Sequence, residues 1–387
     1  MIPRPGKRTL DRLAPFLLLA SLAVARAHAQ APEGPISPRP GVTIQQPPPQ
    51  AHIKVQATLV STPVVVHNNK GEMVTNLDAK DFQITDNGVP QKITHFDLGT
   101  DPISMVVLVE TSSRIAPLLP EIRKTGILFT QTVLGPSGEA ALLTFNDQID
   151  KLQDFTADND LLESSISQLP AGTSGAKLYD AMAVAVEMLT GRSGPIPRQA
   201  RQINDKPVPR RILMILAEAT DVGSSAKLGE VLRKAQLANI TIYGVGLSTT
   251  RAELQTKPEG DNHIRATPPG TFGRPPIPGS VQTPDSEDAR DGVNLTDAAI
   301  WTIQHAENQV EDHALQVAAA ATGGSHLSTF KDRSIEKAID EIGAELHAQY
   351  NLSYAPSDTE FPGYHDISVT VDRKDLKVRF RPGYYLP

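Results

Sequence analysis

Apolar positions along the chain change their period twice. Between Ile53 and Phe96 they alternate: "IKVQATLVSTPVVVHN" is rich in β-branched residues, "NNKG" supplies a turn, and "DFQITDNGVPQKITHF" predicts two short strands around an Asn-Gly turn. Further on, the apolar runs become continuous. "ISMVVLVE" and "RILMILAE" show no alternation, the pattern of strands covered on both faces by helices. Strands are predicted at 104–110, 139–146, 211–218, 240–247 and 325–330, and helices at 117–134, 177–189, 226–238, 311–322 and 334–350. Near the end alternation returns in "YNLSYAP", "HDISVTVD" and "LKVRFRPGYY".

Strands alternating with helices predict an α/β fold over residues 101–350, a doubly wound and mostly parallel sheet of Rossmann type. The β-rich segments 51–100 and 351–387 are each too small to close alone, and are candidates for the two halves of one β-sandwich. Residues 30–50 are Pro-rich with few apolar anchors and read as an extended linker. Two further segments, 191–209 and 257–294, hold few large apolar residues and are expected as mobile surface loops.

The first 29 residues have the form of a cleavable export signal. Arg4, Lys7, Arg8 and Arg12 precede an apolar run from Leu13 to Ala25, and Ala27-His28-Ala29 offers a small-residue cleavage site. The run is shorter than the roughly 20 residues a membrane-spanning helix needs, so the mature chain is expected to have no membrane span and to be secreted or periplasmic. Removing this segment takes away five basic residues and one acidic, which leaves 32 basic and 43 acidic residues and a formal charge of −11. That balance argues against nucleic acid or anionic lipid as a partner. There is no cysteine among the 387 residues, so thiol nucleophiles and thiolate metal sites are excluded.

In an open α/β sheet, ligands bind beyond the carboxyl ends of the strands where the strand order reverses. Two predicted strands end there in a carboxylate, at Leu108-Val109-Glu110 and at Leu216-Ala217-Glu218. The order of a strand ending in an acid plus hydroxyls ("VVLVETSSR"), then "GTSGAKLYDAM" opening a helix, then a second strand ending in an acid resembles a von Willebrand factor A domain over roughly Pro102 to Tyr350. The flanks "NLDAKDFQITDNGVPQKITHF" and "YNLSYAP…RPGYY" resemble exported bacterial proteins, often seen in Acidobacteria, that carry such a domain between β-rich ends.

The resemblance implies a metal-ion-dependent adhesion site, in which two serines and a threonine bind Mg²⁺ directly and aspartates hold it through water. Magnesium wants about six hard oxygens in a near-octahedral shell. Matched residue by residue, the first aspartate is Glu110, the first serine is Ser112, and the second serine falls on Arg114; Ala176 stands at the threonine, and Glu218 closes the site, with Ala219 and Asp221 following. One of three direct hydroxyl ligands remains, and Arg114 brings a permanent positive charge to the ion's position. The expectation is a degenerate site in which Arg114 or Lys177 neutralises Glu110 and Glu218. Ser112, Ser113, Arg114, Ala176, Lys177 and Asp221 are then the candidate ligand-binding residues. The function expected is non-enzymatic, metal-independent binding of a protein or cell-surface ligand. The alternative is a Mg- or Mn-dependent adhesion module with a metal site rebuilt from Glu110, Ser112 and Glu218.

Other signals have plainer readings. Asp147 is expected in a turn, and Asp180 to face solvent or cap a local hydrogen bond. "YGVGLS" lacks the third glycine and following helix of a dinucleotide fingerprint, and "GTSGA" and "GRSGP" lack the spacing of a hydrolase elbow. His305 and His313, with Glu307, Glu311 and Asp312, read as a solvated helix entry, and Trp301 as packing on its own domain.

Overall fold

The computed structural model of the protein describes residues 59–191, 202–203, 206–207, 209–218, 220–247, 295–305, 313–329, 334–357 and 362–386. The expected export segment 1–29, the linker 30–50, the loop 257–294, and Ala219, Glu307, Glu311 and Asp312 lie outside these residues, as does most of the loop 191–209.

The first alternating stretch forms β1 (Val60–Asn68), β2 (Phe82–Asp86), β3 (Val89–Gln91) and β4 (Ile93–Leu98). Asn87 and Gly88 join β2 to β3 with φ of 48° and 78°, the two left-handed positions a tight hairpin turn requires. The middle of the chain supplies β5 (Ile103–Glu110), β6 (Glu139–Phe145), β7 (Ile149–Thr156), the two-residue ladder of β8 (Gln202–Ile203) and β9 (Lys206–Pro207), then β10 (Arg210–Ala217), β11 (Ile240–Gly246) and β12 (His326–Ser328). The last stretch forms β13 (Tyr350–Tyr354), β14 (Gly363–Val371), β15 (Leu376–Phe380) and β16 (Gly383–Leu386).

The central sheet runs β12-β11-β10-β5-β6-β7, parallel throughout except for β7, which is antiparallel to β6. The chain moves outward from β5 through β6 to β7, then crosses back to β10 and proceeds to β12, so its direction of travel reverses between β5 and β10. Every residue of β5 and β10 is buried, because alternate side chains enter different cores. Val106, Leu108, Leu213 and Ile215 pack with the helices Leu178–Gly191, Leu228–Leu237 and Ala314–Thr322. Met105, Val107, Ile212 and Met214 pack with residues of 115–134 and of the helix Ile335–Ala348.

The end strands interleave in two further sheets. β1 pairs with β13 and β15, β13 with β4, and β2 with β14 and β3, giving the orders β15-β1-β13-β4 and β16-β14-β2-β3. Val64, Phe82, Tyr350, Leu352, Val369 and Tyr384, from both sheets, share one apolar cluster.

Three sequence expectations are corrected. The helix predicted at 117–134 is a succession of short 3-10, α and π segments from Ala116 to Leu134. Pro117 and Pro120 remove donors, and the hydroxyls of Thr125, Thr130 and Thr132 donate to the carbonyls of Ile122, Ile127 and Leu128, competing with the helical ladder. The helix predicted at 334–350 ends at Ala348, and Tyr350 opens β13. β7 and the helix Asn159–Ser167 were not expected at all. β7 is an edge strand whose charged residues, Asp150, Lys151 and Asp154, mask its alternation and guard the open edge.

Candidate functional site

β5 and β10 pair in register from Arg210↔Ile103 to Leu216↔Val109, so their carboxyl ends lie side by side where the strand order reverses. Glu110, the last residue of β5, is completely buried. One of its carboxylate oxygens, Oε2, accepts a hydrogen bond from the backbone N–H of Glu218 at 2.8 Å, and the other, Oε1, accepts from Ser112 Oγ at 2.5 Å. The strand itself stops at Ala217, one residue earlier than expected, and Glu218 begins the loop.

After Ser112 the chain turns back on itself, with the N–H groups of Ile115 and Ala116 donating to the Ser112 carbonyl. This turn lays Arg114 over the strand end. Its Nη2 lies 3.5 Å from Glu110 Oε1, and its Nε lies 3.2 Å from Glu218 Oε2. Neither contact is aligned as a hydrogen bond, so the attraction is one of charge proximity. The guanidinium is about one-third exposed at 35%, against 0% for Glu110 and 14% for Glu218. Burial pushes the Glu110 carboxyl above its ordinary value, while the bonds from Ser112 and Glu218 and the charge of Arg114 pull it back.

Lys177, the other cation expected at this spot, does not join that arrangement. Its N–H donates to the Asn146 carbonyl, and its side chain runs towards Gly223. Ala176 is buried in the apolar cluster beneath the helix Leu178–Gly191, and its carbonyl accepts from Val222 N–H at 2.7 Å. Of the six candidate ligand-binding residues, Ser112 and Ala176 are therefore fully covered. Ser113 is exposed, and Arg114, Lys177 and Asp221 are half-buried at the rim.

The arrangement differs from the near-octahedral oxygen shell that a divalent cation takes. Both oxygens of Glu110 are engaged, Ser112 Oγ is turned to that carboxylate, a guanidinium stands between the two acids, and a methyl group occupies the threonine position. Among the described residues no group of three or more His, Asp or Glu side chains is placed to hold a metal ion.

Two features of the rim were missed or undervalued in the sequence. Asn146, buried just beyond β6, ties three loops together: its amide donates to Thr111 Oγ1, its amide oxygen accepts from Thr173 Oγ1 and Gln148 N–H, and its carbonyl accepts from Lys177 N–H. Its position at the end of the strand predicted at 139–146 is the available signal, and Asp147 is the next residue. That residue is exposed, and its carboxylate fills the space a Cβ on Gly175 would need. The second feature is a reciprocal cap. Asp221 accepts from Tyr179 N–H and Ser224 Oγ, while Asp180 accepts from the N–H groups of Ser225 and Ala226. Asp180 thus fastens a loop some 45 residues away rather than facing solvent. Val222, with 46% of its surface exposed, adds an apolar contact beside Asp221.

No protein-family model matches the chain, and no curated protein matches it. Among solved structures, it is similar to an aerotolerance-related membrane protein from Bacteroides fragilis at 12% identity, over 63% of this chain and 99% of that one, with a TM-score of 0.37. It is also similar to the conserved hypothetical protein BatB from Bacteroides thetaiotaomicron, at 12% identity over 63% and 98% of the two chains and a TM-score of 0.36. A third likeness is to the SpRpn10 VWA domain, at 16% identity over 40% and 79% of the chains and a TM-score of 0.30.

Proposed function

We propose that this protein is a non-enzymatic interaction module that binds a protein or cell-surface ligand at the carboxyl end of the central sheet, without a metal. The reversal of strand order between β5 and β10 supports a doubly wound sheet with its binding face at that end. The observation that carries the reading is Arg114, which meets Glu110 and Glu218 together. An arginine in this place supplies internally the positive charge that a bound ion supplies in the family the sequence resembles. Ser113, Lys177, Asp221 and Val222, all exposed or half-buried, offer hydroxyl, cationic, anionic and apolar contacts to a partner.

The basic, apolar and small-residue order of residues 1–29 supports export to the periplasm or beyond. Among the described residues no helix is long and apolar enough to cross a membrane.

The test is capture from envelope extract with and without EDTA, comparing the wild type with the double variant Arg114→Ser, Ala176→Thr. Wild-type capture is expected to be unaffected by EDTA, and the double variant is expected to capture in a metal-dependent manner. EDTA-sensitive capture by the wild type would select the alternative, a Mg or Mn site rebuilt from Glu110, Ser112 and Glu218.

A further inference from the structure

The opposite end of β10 carries a second concentration of charge. Arg210 and Arg211 open that strand, eight residues before Glu218, which separates the two ends by roughly 25 Å at the rise of a β-strand. Together with Arg381 from the β15–β16 turn, they line a cavity of about 40 Å³ whose wall also includes Ser61, Asn239, Gln349 and Asn351. All three arginines are more than nine-tenths buried.

Nη1 of each guanidinium donates to a main-chain carbonyl: Arg210 to Leu346 at 2.9 Å, Arg211 to Ala238 at 2.8 Å and Arg381 to Gln236 at 3.2 Å. Among the described residues, Nε and Nη2 of Arg210 and Nε of Arg381 have no acceptor. Burial disfavours the charge of both Arg210 and Arg381, while Asp97 and Asp101 favour that of Arg210 from a distance and Asp86 that of Arg381. Those carboxylates have other partners: Asp101 meets His95 and Asn351, Asp97 meets Thr100, and Asp86 takes the hydroxyls of Tyr354 and Tyr384 and the imidazole of His365. The neutral lining is engaged too. Ser61 donates to Asn351, Asn239 bonds Ser61 and Leu59, and Gln349 donates to Tyr243. The unused hydrogen-bonding capacity of Arg210 and Arg381 is thus cationic donor capacity, and a buried cation lacking an ion-pair partner is costly.

We propose that this cavity binds a small inorganic oxyanion of the phosphate or sulfate type, held by Arg210 and Arg381 and assisted by Arg211. The volume corresponds to about three water positions, which suits such an ion and excludes a nucleotide or peptide. Planar guanidinium donors match oxyanion geometry. The bound ion would join β10 and the β15–β16 turn by charge.

The experiment is calorimetric titration of the full chain with inorganic phosphate at constant ionic strength, repeated with sulfate and with chloride. The wild type is expected to bind one phosphate saturably, with sulfate competing and chloride not. Arg210→Lys and Arg381→Lys retain the charge but lose the fork, and each is expected to weaken binding at least tenfold. Arg373→Lys, an exposed arginine that bonds Asn76, is expected to leave it unchanged. Circular dichroism checks the fold of each variant; should a cavity variant fail to fold, the wild-type stoichiometry and the chloride arm decide. Absence of saturable binding, a preference for chloride, or equal affinity in the folded cavity variants would overturn the proposal.

Discussion

Arg114 Nε stands 3.2 Å from Glu218 Oε2 across the carboxyl ends of β5 and β10, with the buried Glu110 beneath both. Removing the guanidinium leaves Glu110 in an environment that already disfavours its charge. Arg114→Met is therefore expected to destabilise the protein at pH 7 by about 1–2 kcal/mol, between the values for exposed and buried pairs. The direction with pH follows from Glu110, whose folded value is raised. Its protonated form is favoured in the folded state, so the penalty is expected to grow as pH rises through that value and to shrink in acid. Urea unfolding at pH 7 and pH 4.5 measures this; an equal penalty at both would show that Arg114 does not compensate Glu110.

Asn146 and Asp147 are neighbours in sequence with opposite expectations. Asn146→Ala removes the amide that holds Thr111, Thr173 and Gln148, and is expected to cost about 2–3 kcal/mol as buried partners lose their bonds. Asp147→Ala, at an exposed position, is expected to stay within about 0.5 kcal/mol. Thermal unfolding of the two variants separates them.

The Asp180 and Asp221 carboxylates hold the same loop: Asp221 accepts from Ser224 Oγ at 2.6 Å, and Asp180 accepts from the N–H groups of Ser225 at 3.0 Å and Ala226 at 2.7 Å. Each alanine variant is expected to cost about 1 kcal/mol, as for the loss of a helix cap. The two are expected to be non-additive by at least about 0.5 kcal/mol. Strict additivity in a double-mutant cycle would mean that the loop and the helix entry are fastened independently.

His326 packs against Gly244 and Gly246, and burial, with the nearby His313, lowers its pKa to about 4. A histidine whose folded value lies below its unfolded value of 6.5 takes up protons preferentially when unfolded. Its contribution is fully present above pH 6.5 and is lost as pH falls towards 4, by an amount on the order of 2–3 kcal/mol. His326→Gln is expected to flatten the stability profile in that interval. Parallel unfolding curves for the variant and the wild type from pH 7.5 to 4.5 would contradict it.

The buried strands of the central sheet were legible because their signal is local. "ISMVVLVE" announces a strand buried on both faces, and β5 has that burial throughout. The acids Glu110 and Glu218, at or just past two strand ends, marked the end of the sheet on which they meet. What the sequence concealed depends on contacts between distant residues. The choice of Arg114 over Lys177 at the acids is decided by the turn at Ser112, and the link between Asp180 and the loop at Ser225 spans 45 positions. The broken helix after Arg114 shows local signals in competition, where apolar periodicity predicted one rod and two prolines with three threonine hydroxyls divided it.

The pairing of Val60 with Tyr354 and of Leu98 with Tyr350 fixes an order of assembly. β1 finds its neighbours only when residues almost 300 positions later have been made, whereas β5 finds β6 within about 35. Nearby pairings close first because short loops lose less entropy. The central sheet can thus form while β1 to β4 still lack β13 to β16. Truncation before β13 would leave the first strands with bare edges, an aggregation hazard, so completion of the chain acts as a checkpoint on the solubility of its beginning.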